Sequence, residues 1–362
     1  MIRKNFFSTG AQKLLLYKEE INKWKSGESL IPITLEIQPS EICNHLCPQC
    51  QGKIALTKKE ARIRSRNGSL LDFSLLESVW KNPPKGIVIS GNTGDPLLHP
   101  EIDWLLEKAN IEGIPSVLIT NGQAITTCIA EKMINNCRGV RISIDSFDKE
   151  SFHQSHGGSS DQWEELINNI NLLVKIKKSN IKSNCQIGIG FLTNSFTKKW
   201  MKSATIFAKK NGVDYIQFRP FHYDNTNVMS ELKQCENEEN SSFKVLSSYQ
   251  KYSRLGDIQN KSFLNCQAAW FYTVLDARGD FYICCHNVGN AEARLGTLKD
   301  STWEEYCKSE LRRKIIGCFS TGVCIPNCRL QTQNEMLKKI RNKKFVTPNS
   351  INKQILYHSM FL

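Results

Sequence analysis

No stretch of this 362-residue sequence approaches the roughly 20 consecutive apolar residues that a transmembrane helix needs. A secretory signal peptide is not expected either, because Lys18, Glu19 and Glu20 cut short the apolar stretch at residues 14–16. Internal repeats are lacking, and the polar stretch at 236–242 is the only one that approaches low complexity. We therefore predict a globular protein with no membrane-spanning segment.

Acidic residues are in short supply, with 35 Asp and Glu against 48 Lys and Arg and a net charge of +13. Such an excess would favour acidic partners. The basic residues are nevertheless spread along the chain, and only residues 338–344 form a dense cluster. None of the nucleic-acid recognition folds that have a sequence signature is visible. Nucleic acid is therefore not expected as a partner, and a zinc protein that binds nucleic acid is kept as the non-enzymatic alternative.

Cysteine, in contrast, is abundant, with 14 residues. Without a secretory signal, this abundance argues against a disulfide framework and for metal binding in a reducing compartment. We predict a cytoplasmic protein.

Three of these cysteines, Cys43, Cys47 and Cys50, are spaced C-x3-C-x2-C after the extended run 32–39. The loop is too short to separate the thiols, so they can converge on one metal centre. Structural zinc and a 4Fe-4S cluster each take four protein ligands, so three thiols indicate an iron with an open coordination position. A zinc knuckle or three unrelated buried thiols are the alternatives.

This spacing resembles the cluster motif of the radical S-adenosylmethionine (SAM) enzymes. The resemblance implies a 4Fe-4S cluster on the three cysteines, with the amino and carboxylate groups of SAM on the fourth iron. Residues 90–96 (SGNTGDP) resemble the family's Gly-Gly-Glu-Pro element and so imply SAM contacts from Gly94 and Asp95. The sequence departs from that element at Thr93 and Asp95, and Gln49 replaces the usual aromatic residue before the third cysteine.

Further SAM contacts are implied at the ends of the next two predicted strands. Residues 118–122 (LITNG) resemble a recurrent Thr-Asn-Gly element of the family, which places Asn121 near SAM. Ser143 and Asp145 lie on one face of their strand because side chains alternate with period two. Their hydroxyl and carboxylate suit a ribose diol, the group that this strand end contacts in the family.

Strand and helix signals alternate along most of the chain, which predicts parallel pairing through right-handed crossovers. Such a pattern permits a doubly wound sheet, whereas the resemblance implies an α/β fold with a partial (β/α)6 TIM-like barrel. The predicted strands are 33–37, 86–90, 116–120, 139–145, 185–192 and 214–218. The predicted helices are 12–25, 73–81, 101–110, 125–135, 163–178 and 197–211.

A second group of cysteines follows the patterns C-x12-G-x4-C and C-x5-C-x3-C between residues 266 and 328, with a hairpin-like stretch at 273–281. It resembles the SPASM or shorter Twitch extension of radical SAM enzymes and implies one auxiliary 4Fe-4S cluster in a small C-terminal domain. A tetrahedral zinc site is the rival. The predicted ligands are Cys266, Cys284, Cys324 and Cys328, with Cys318 as the substitute.

These assignments divide the chain into an N-terminal helical cap (1–30), a radical SAM barrel (31–235), an auxiliary-cluster domain (236–335) and a basic tail (336–362). Cys235 and Cys285 are candidate hydrogen-atom donors, although a small buried hydrophobe is the more common role of a free cysteine.

The resemblance implies an oxidoreductase that reductively cleaves SAM to a 5′-deoxyadenosyl radical and abstracts hydrogen from an unactivated carbon. A peptide is the favoured substrate, in the maturation of a ribosomally made product. Dehydrogenation or epimerisation of a sugar or aminocyclitol-like metabolite is the alternative. The implied electron donor is a flavodoxin or a ferredoxin.

Overall fold

The computed structural model describes residues 13–50, 66–252, 264–325 and 328–342. The strands are β1 (Thr34–Ile37), β2 (Gly86–Ile89), β3 (Ser116–Thr120), β4 (Gly139–Ser143), β5 (Gln186–Thr193), β6 (Tyr215–Pro220), β7 (Lys244–Ser247), β8 (Tyr272–Leu275), β9 (Asp280–Tyr282) and β10 (Arg294–Thr297). The helices are α1 (Lys18–Ser26), α2 (Glu77–Lys81), α3 (Ile102–Ile111), α4 (Thr127–Asn136), α5 (Lys149–His156), α6 (Ser160–Ser179), α7 (Met201–Lys210), α8 (Met229–Glu236), α9 (Tyr249–Tyr252), α10 (Trp303–Lys308), α11 (Glu310–Cys318) and α12 (Gln331–Arg341).

The alternation of strands and helices up to β6 confirms the predicted α/β class. Each of the six predicted strands is observed within two residues of its expected bounds. None of the helices in the described part of the chain is long and apolar enough to cross a membrane. The chain separates into two compact units, which are described in turn.

The barrel unit comprises residues 39–70 and 89–256. Its strands β3, β4, β5, β6 and β7 are hydrogen-bonded in that order, and every neighbouring pair is parallel. Ile142, Ile189 and Ile216 are at most 1% exposed, as expected of strands that helices cover. A helix follows each of β3, β4, β5 and β6, so the carboxyl ends of these strands share one edge. Active sites of barrel-like folds lie at that edge.

The terminal unit comprises residues 1–38, 71–88 and 257–362. In it β8 pairs in parallel with β1, and β8, β9 and β10 form an antiparallel meander. The β8–β9 turn, which includes Gly279 at φ 82°, confirms the predicted hairpin. The fully buried Arg312 donates hydrogen bonds to the carbonyls of Leu30, Trp270 and Cys307. One side chain thus links three segments of this unit.

Some elements were not predicted, namely α5, β7, α8, α9, β10, α10, α11 and α12. Of the predicted cap, residues 1–12 lie outside the described residues, and so do residues 343–362 of the predicted tail. The first part of that predicted tail continues α12, in which Leu337 is fully buried.

Candidate functional site

The cysteine loop (residues 43–50) lies among the loops that follow strands of the barrel unit, and its three thiols are half-buried. Asn121, directly after β3, has its Nδ2 atom 3.9 Å from the Sγ atom of Cys43. The thiol of Cys50 donates to the carbonyl of Asn92, which follows β2, at 3.8 Å. The two outer thiols of the loop are therefore held by two different loops.

The middle thiol, Cys47, contacts His156 at the end of α5. The Nδ1 atom of His156 is 3.3 Å from the Cys47 sulfur, and its Nε2 atom accepts the backbone N–H of Asp145 at 2.9 Å. Burial of the ring, with a smaller contribution from His45, lowers the pKa of His156 to about 3. The imidazole is therefore neutral at physiological pH.

The loop is also tied to β3 and β5. The Nε2 atom of His45 is 3.2 Å from the side-chain carbonyl of Gln123, which in turn donates to Glu165. Asn194, directly after β5, donates from its side chain to the Oε1 atom of Gln49. The residue that replaces the family's aromatic side chain thus makes a hydrogen bond.

Across the described residues, His45, Cys47 and His156 are the one group of three or more potential ligand atoms that all lie within 4.8 Å of one another. The thiols of Cys43, Cys47 and Cys50 are therefore spread more widely than a mononuclear site requires. A cubane cluster holds thiolates on different irons apart, so this spread suits a cluster better than a single zinc ion.

Asp95 is buried, and its carboxylate connects the loop after β2 to the end of β3. Its oxygens accept from the backbone N–H of Leu97 at 3.0 Å, the hydroxyl of Thr120 at 2.8 and 2.9 Å, and the backbone N–H of Asn121 at 2.6 Å. Burial raises the pKa of this carboxyl in spite of these hydrogen bonds. Sequence reasoning had placed Asp95 at the SAM amino group, and the protein itself already engages both oxygens.

Gly94 lies against the backbone that leads into the cysteine loop. A Cβ atom there would be 2.1 Å from the carbonyl oxygen of Ser40 and 2.7 Å from the carbonyl carbon of Glu41. Gly91 is confined in the same way, since its Cβ would lie 2.0 Å from the carbonyl oxygen of Gly94. These glycines allow two backbone segments to approach within a distance that no side chain would permit.

The end of β4 carries the residues expected at the ribose. Ser143 and Asp145 are both half-buried, and the Oδ1 atom of Asp145 accepts the backbone N–H of Leu192 at 2.6 Å. Loss of hydration raises the pKa of Asp145 to about 6. Within the described residues, the buried hydroxyl of Ser146 has no hydrogen-bond partner. This strand end therefore offers polar atoms whose hydrogen-bonding capacity the protein does not exhaust.

The C-terminal cysteines form a second group, in the terminal unit. Cys266 and Cys284 are buried, whereas Cys324 and Cys328 are half-buried. Burial, followed by the nearby Cys328 and Cys324, raises the pKa of Cys266 to about 12. Burial also raises the pKa of Cys284 well above its ordinary value, with further contributions from Cys285, Cys328 and Cys266. Cys328 therefore lies near both Cys266 and Cys284, and Cys324 lies near Cys266, while Cys318 is exposed at the end of α11.

Two asparagines donate to the buried thiols of this group. The Nδ2 atom of Asn334 is 3.4 Å from the sulfur of Cys266, and that of Asn287 is 3.2 Å from the sulfur of Cys284. Amide donors stabilise a thiolate over a thiol. Sequence reasoning missed both, although Asn287 lies only three residues after a predicted ligand.

The two candidate hydrogen donors occupy different surroundings. Cys235 is fully buried on α8, where burial raises the pKa of its thiol. Cys285 is half-buried, and its sulfur is 3.8 Å from Arg329, whose guanidinium pairs with buried Glu36 at 2.9 Å. Burial raises the pKa of Cys285 to about 11.

A family model of the radical SAM superfamily matches residues 37–220, just over half of the chain. The chain belongs to the radical SAM superfamily. Radical SAM enzymes use a 4Fe-4S cluster and SAM, the chemistry that the cysteine-loop motif had indicated.

Two curated SAM-dependent relatives share part of the chain. One is the SAM-dependent tRNA 4-demethylwyosine synthase of Methanocaldococcus jannaschii, which is 27% identical over 49% of this chain and 57% of its own length. The other is the SAM-dependent nucleotide dehydratase of Flammeovirga pacifica, which is 25% identical over 36% of this chain and 44% of its own. The chain thus spans about half the length of the curated relatives it matches.

Solved radical SAM structures share the fold over most of the chain. Streptococcus suis SuiB superimposes with a TM-score of 0.59 at 15% identity, over 83% of this chain and 71% of SuiB. Native anSMEcpe with bound AdoMet has a TM-score of 0.57 at 17% identity, over 87% of this chain and 100% of that protein. The expected partial barrel is thereby confirmed.

Proposed function

We propose that this radical SAM enzyme holds its SAM-cleaving 4Fe-4S cluster in the cysteine loop. One observation carries the proposal: three half-buried thiols at C-x3-C-x2-C spacing are each contacted by a polar group from a different part of the barrel unit. Such surrounding contacts orient the ligands of a metal centre. The proposed ligands are Cys43, Cys47 and Cys50, and the proposed SAM contacts are Gly94, Asp95, Asn121, Ser143 and Asp145.

When bound, the cluster and SAM supply reductive cleavage to a 5′-deoxyadenosyl radical, which abstracts hydrogen from an unactivated carbon of the substrate. The protein residues position these groups. Asp95 fixes the end of β3 against the loop that carries Gly94, and Asn121 extends from that strand end toward Cys43. Ser143 and Asp145 present a hydroxyl and a carboxylate at the neighbouring strand end, which suits hydrogen bonding to a ribose diol.

An auxiliary 4Fe-4S cluster in the terminal unit is the second part of the proposal. The thiols of Cys266, Cys284, Cys324 and Cys328 would supply all four protein ligands of a closed site, so we assign it to electron acceptance or substrate binding rather than to SAM cleavage. Zinc held by the same thiolates is the rival. Between the two candidate hydrogen donors, Cys285 is favoured because Cys235 is fully buried.

A peptide is the proposed substrate. SuiB has been crystallised with its precursor peptide SuiA, and anSMEcpe with the Kp18Cys peptide. The curated relatives are instead named for a tRNA and a nucleotide reaction, and a sugar or aminocyclitol-like metabolite is the alternative. No disulfide joins any of the 14 cysteines, all of which lie in the described residues, and this suits a cytoplasmic oxidoreductase that takes electrons from a flavodoxin or a ferredoxin.

The proposal is tested with the full chain after anaerobic reconstitution with iron and sulfide. We expect 5′-deoxyadenosine when SAM and a reductant are supplied, and faster formation when the correct substrate class is added. Candidate peptides encoded beside the gene, aminocyclitols and nucleotides are compared in parallel. Acceleration by a non-peptide class alone would overturn the peptide assignment, and absence of any 5′-deoxyadenosine would overturn the enzymatic proposal.

A further inference from the structure

His156 occupies a position beside Cys47 that the cluster motif does not include. Its imidazole is 4% exposed and makes two polar contacts, one through each ring nitrogen. A backbone N–H can only donate, so the Nε2 atom, 2.9 Å from the Asp145 nitrogen, must be the acceptor. In that tautomer the ring proton lies on Nδ1, 3.3 Å from the Cys47 sulfur. The backbone of Asp145 therefore determines that His156 donates to Cys47.

The surrounding structure holds this ring in place. A capping box formed by Asp148 and Ser151 begins α5, and Gly157 ends it in the left-handed conformation at φ 66°. The ring centroid of His156 is 5.2 Å from that of the fully buried Phe152. A donor that is fixed before the metal centre forms loses little conformational freedom when it binds.

We propose that His156 is a positioning residue that donates a hydrogen bond from Nδ1 to the Cys47 thiolate and thereby raises the reduction potential of the cluster in the cysteine loop. This inference rests on the proposed function. Reduction adds negative charge to the cluster, so a donor to a ligand sulfur stabilises the reduced form more than the oxidised form. The same ring fixes the backbone of Asp145 and so couples the proposed ribose site to the Cys47 ligand.

Two substitutions separate the contacts of the ring. His156→Asn places an amide nitrogen near the Nδ1 position and retains a donor to Cys47. His156→Gln places its amide group near the Nε2 position, so it retains a partner for the Asp145 backbone and loses the donor. His153→Gln is the matched control, because His153 lies one turn earlier on α5, is exposed, and contacts the carbonyl of Gly158 at 3.0 Å.

The measurement is a redox titration of the full-length, anaerobically reconstituted protein, followed by electron paramagnetic resonance. The cluster in the cysteine loop is recognised as the one whose spectrum changes when SAM is added. We expect His156→Gln to shift its midpoint potential to a more negative value at unchanged iron content. The midpoint potential of His156→Asn should lie closer to the wild-type value than that of His156→Gln. The midpoint potential of His153→Gln should equal that of the wild type.

Titration of His156→Gln at the wild-type potential would overturn the donor role. So would loss of iron in that variant but not in His153→Gln, because the histidine would then be a ligand. Zinc in the wild type as isolated, lost on His156→Asn, would instead identify a mononuclear site on His45, Cys47 and His156. Failure of the proposed function looks different: the SAM-responsive signal is then missing from the wild type, or it survives replacement of all three loop cysteines.

Discussion

The two groups of cysteines differ in burial and in the way the chain holds them. The three thiols of the cysteine loop are half-buried and come from eight consecutive residues, whereas Cys266 and Cys284 are buried and belong to segments 18 residues apart in sequence. Polar groups from the end of α5 and from the loops after β2 and β3 surround the first group, and asparagine amides donate to the second. Half-buried thiols alone suit a site that must admit SAM, whereas two buried thiols beside the half-buried Cys324 and Cys328 suit one that stays closed.

The largest effect that this comparison predicts is a loss of SAM cleavage. Replacing Cys43, Cys47 and Cys50 together with Ala should abolish 5′-deoxyadenosine formation, because no thiolate remains beside the proposed SAM site. Chromatography of anaerobic reactions measures this product. Replacing Cys266, Cys284 and Cys328 together with Ala is the matched control and should leave SAM cleavage detectable. An equal loss of 5′-deoxyadenosine formation in the two triple variants would show that the two groups of cysteines do not differ in their role in SAM cleavage.

A single substitution in the terminal unit should uncouple SAM cleavage from product formation. Cys328→Ala removes a proposed ligand from the proposed auxiliary centre, whose ligands come from three segments of this unit, so the product of the variant should disappear while 5′-deoxyadenosine still forms. Because thiolate ligation couples metal binding to folding, the melting temperature should also fall. Cys318→Ala is the control, since Cys318 is exposed. Wild-type product and iron content in Cys328→Ala would show that Cys328 is not a ligand.

Gly94→Ala, a steric change in the barrel unit, should have a smaller effect than the cysteine substitutions. It should lower the stability of the protein and weaken SAM binding. The Cβ atom in Gly94→Ala would lie 2.1 Å from the Ser40 carbonyl oxygen, which forces the backbone to move. Such overpacking costs roughly 1–3 kcal/mol. We expect lower SAM affinity by equilibrium dialysis and a lower melting temperature.

The matched control for this change is Gly317→Ala. Gly317 lies within α11, and a Cβ atom added there would meet nothing within 4 Å. Alanine is also the better helix former, so this variant should be at least as stable as the wild type. An equal loss of stability in both variants would contradict the steric account.

The smallest expected effect is a pH dependence at Asp145. Its pKa of about 6 lies above the ordinary value for aspartate, so protonation favours the folded state. The contribution is complete below about pH 4 and is lost as the pH rises through about 6, on the order of 1–2 kcal/mol. Asp145→Asn keeps an oxygen acceptor for the Leu192 N–H and abolishes this titration.

The melting temperature of the protein without SAM therefore provides the test. On going from about pH 7.5 to about pH 5, the wild type should gain stability relative to Asp145→Asn. Asp161→Asn, at an exposed position in the first turn of α6, serves as the control and should follow the wild type. A constant difference between Asp145→Asn and the wild type would show that this carboxyl keeps an ordinary pKa.

Sequence patterns predicted β3, β4, β5 and β6 of the barrel unit because buried β-branched residues bounded by turn residues repeat clearly along the chain, whereas β7 was not predicted. The helix α5 was missed because it has only eight residues, most of them polar, and its main local signal is the cap at Asp148. That omission removed His156 from consideration. His156 lies 109 residues from Cys47, and no local sequence pattern indicates that it contacts this thiol.

Tertiary contacts also determine which groups surround Asp95 and which residues pair within the terminal unit. The motif located Asp95 in the correct loop, but its partners Thr120 and Asn121 come from another strand end. Glu36 pairs with Arg329, 293 residues away, and local sequence patterns likewise could not predict this contact. Spacing predicts which thiols lie together, whereas the donors around them depend on how the whole unit folds.

Metal and sulfide analysis of the wild type and the two triple-cysteine variants tests the central claim most directly. If each unit holds one cluster, the anaerobically reconstituted wild type should contain about eight irons and each triple variant about four. Mössbauer spectra should assign all of this iron to 4Fe-4S clusters. About four irons in the wild type, unchanged when Cys43, Cys47 and Cys50 are replaced, or zinc in place of iron at the C-terminal cysteines, would contradict the account.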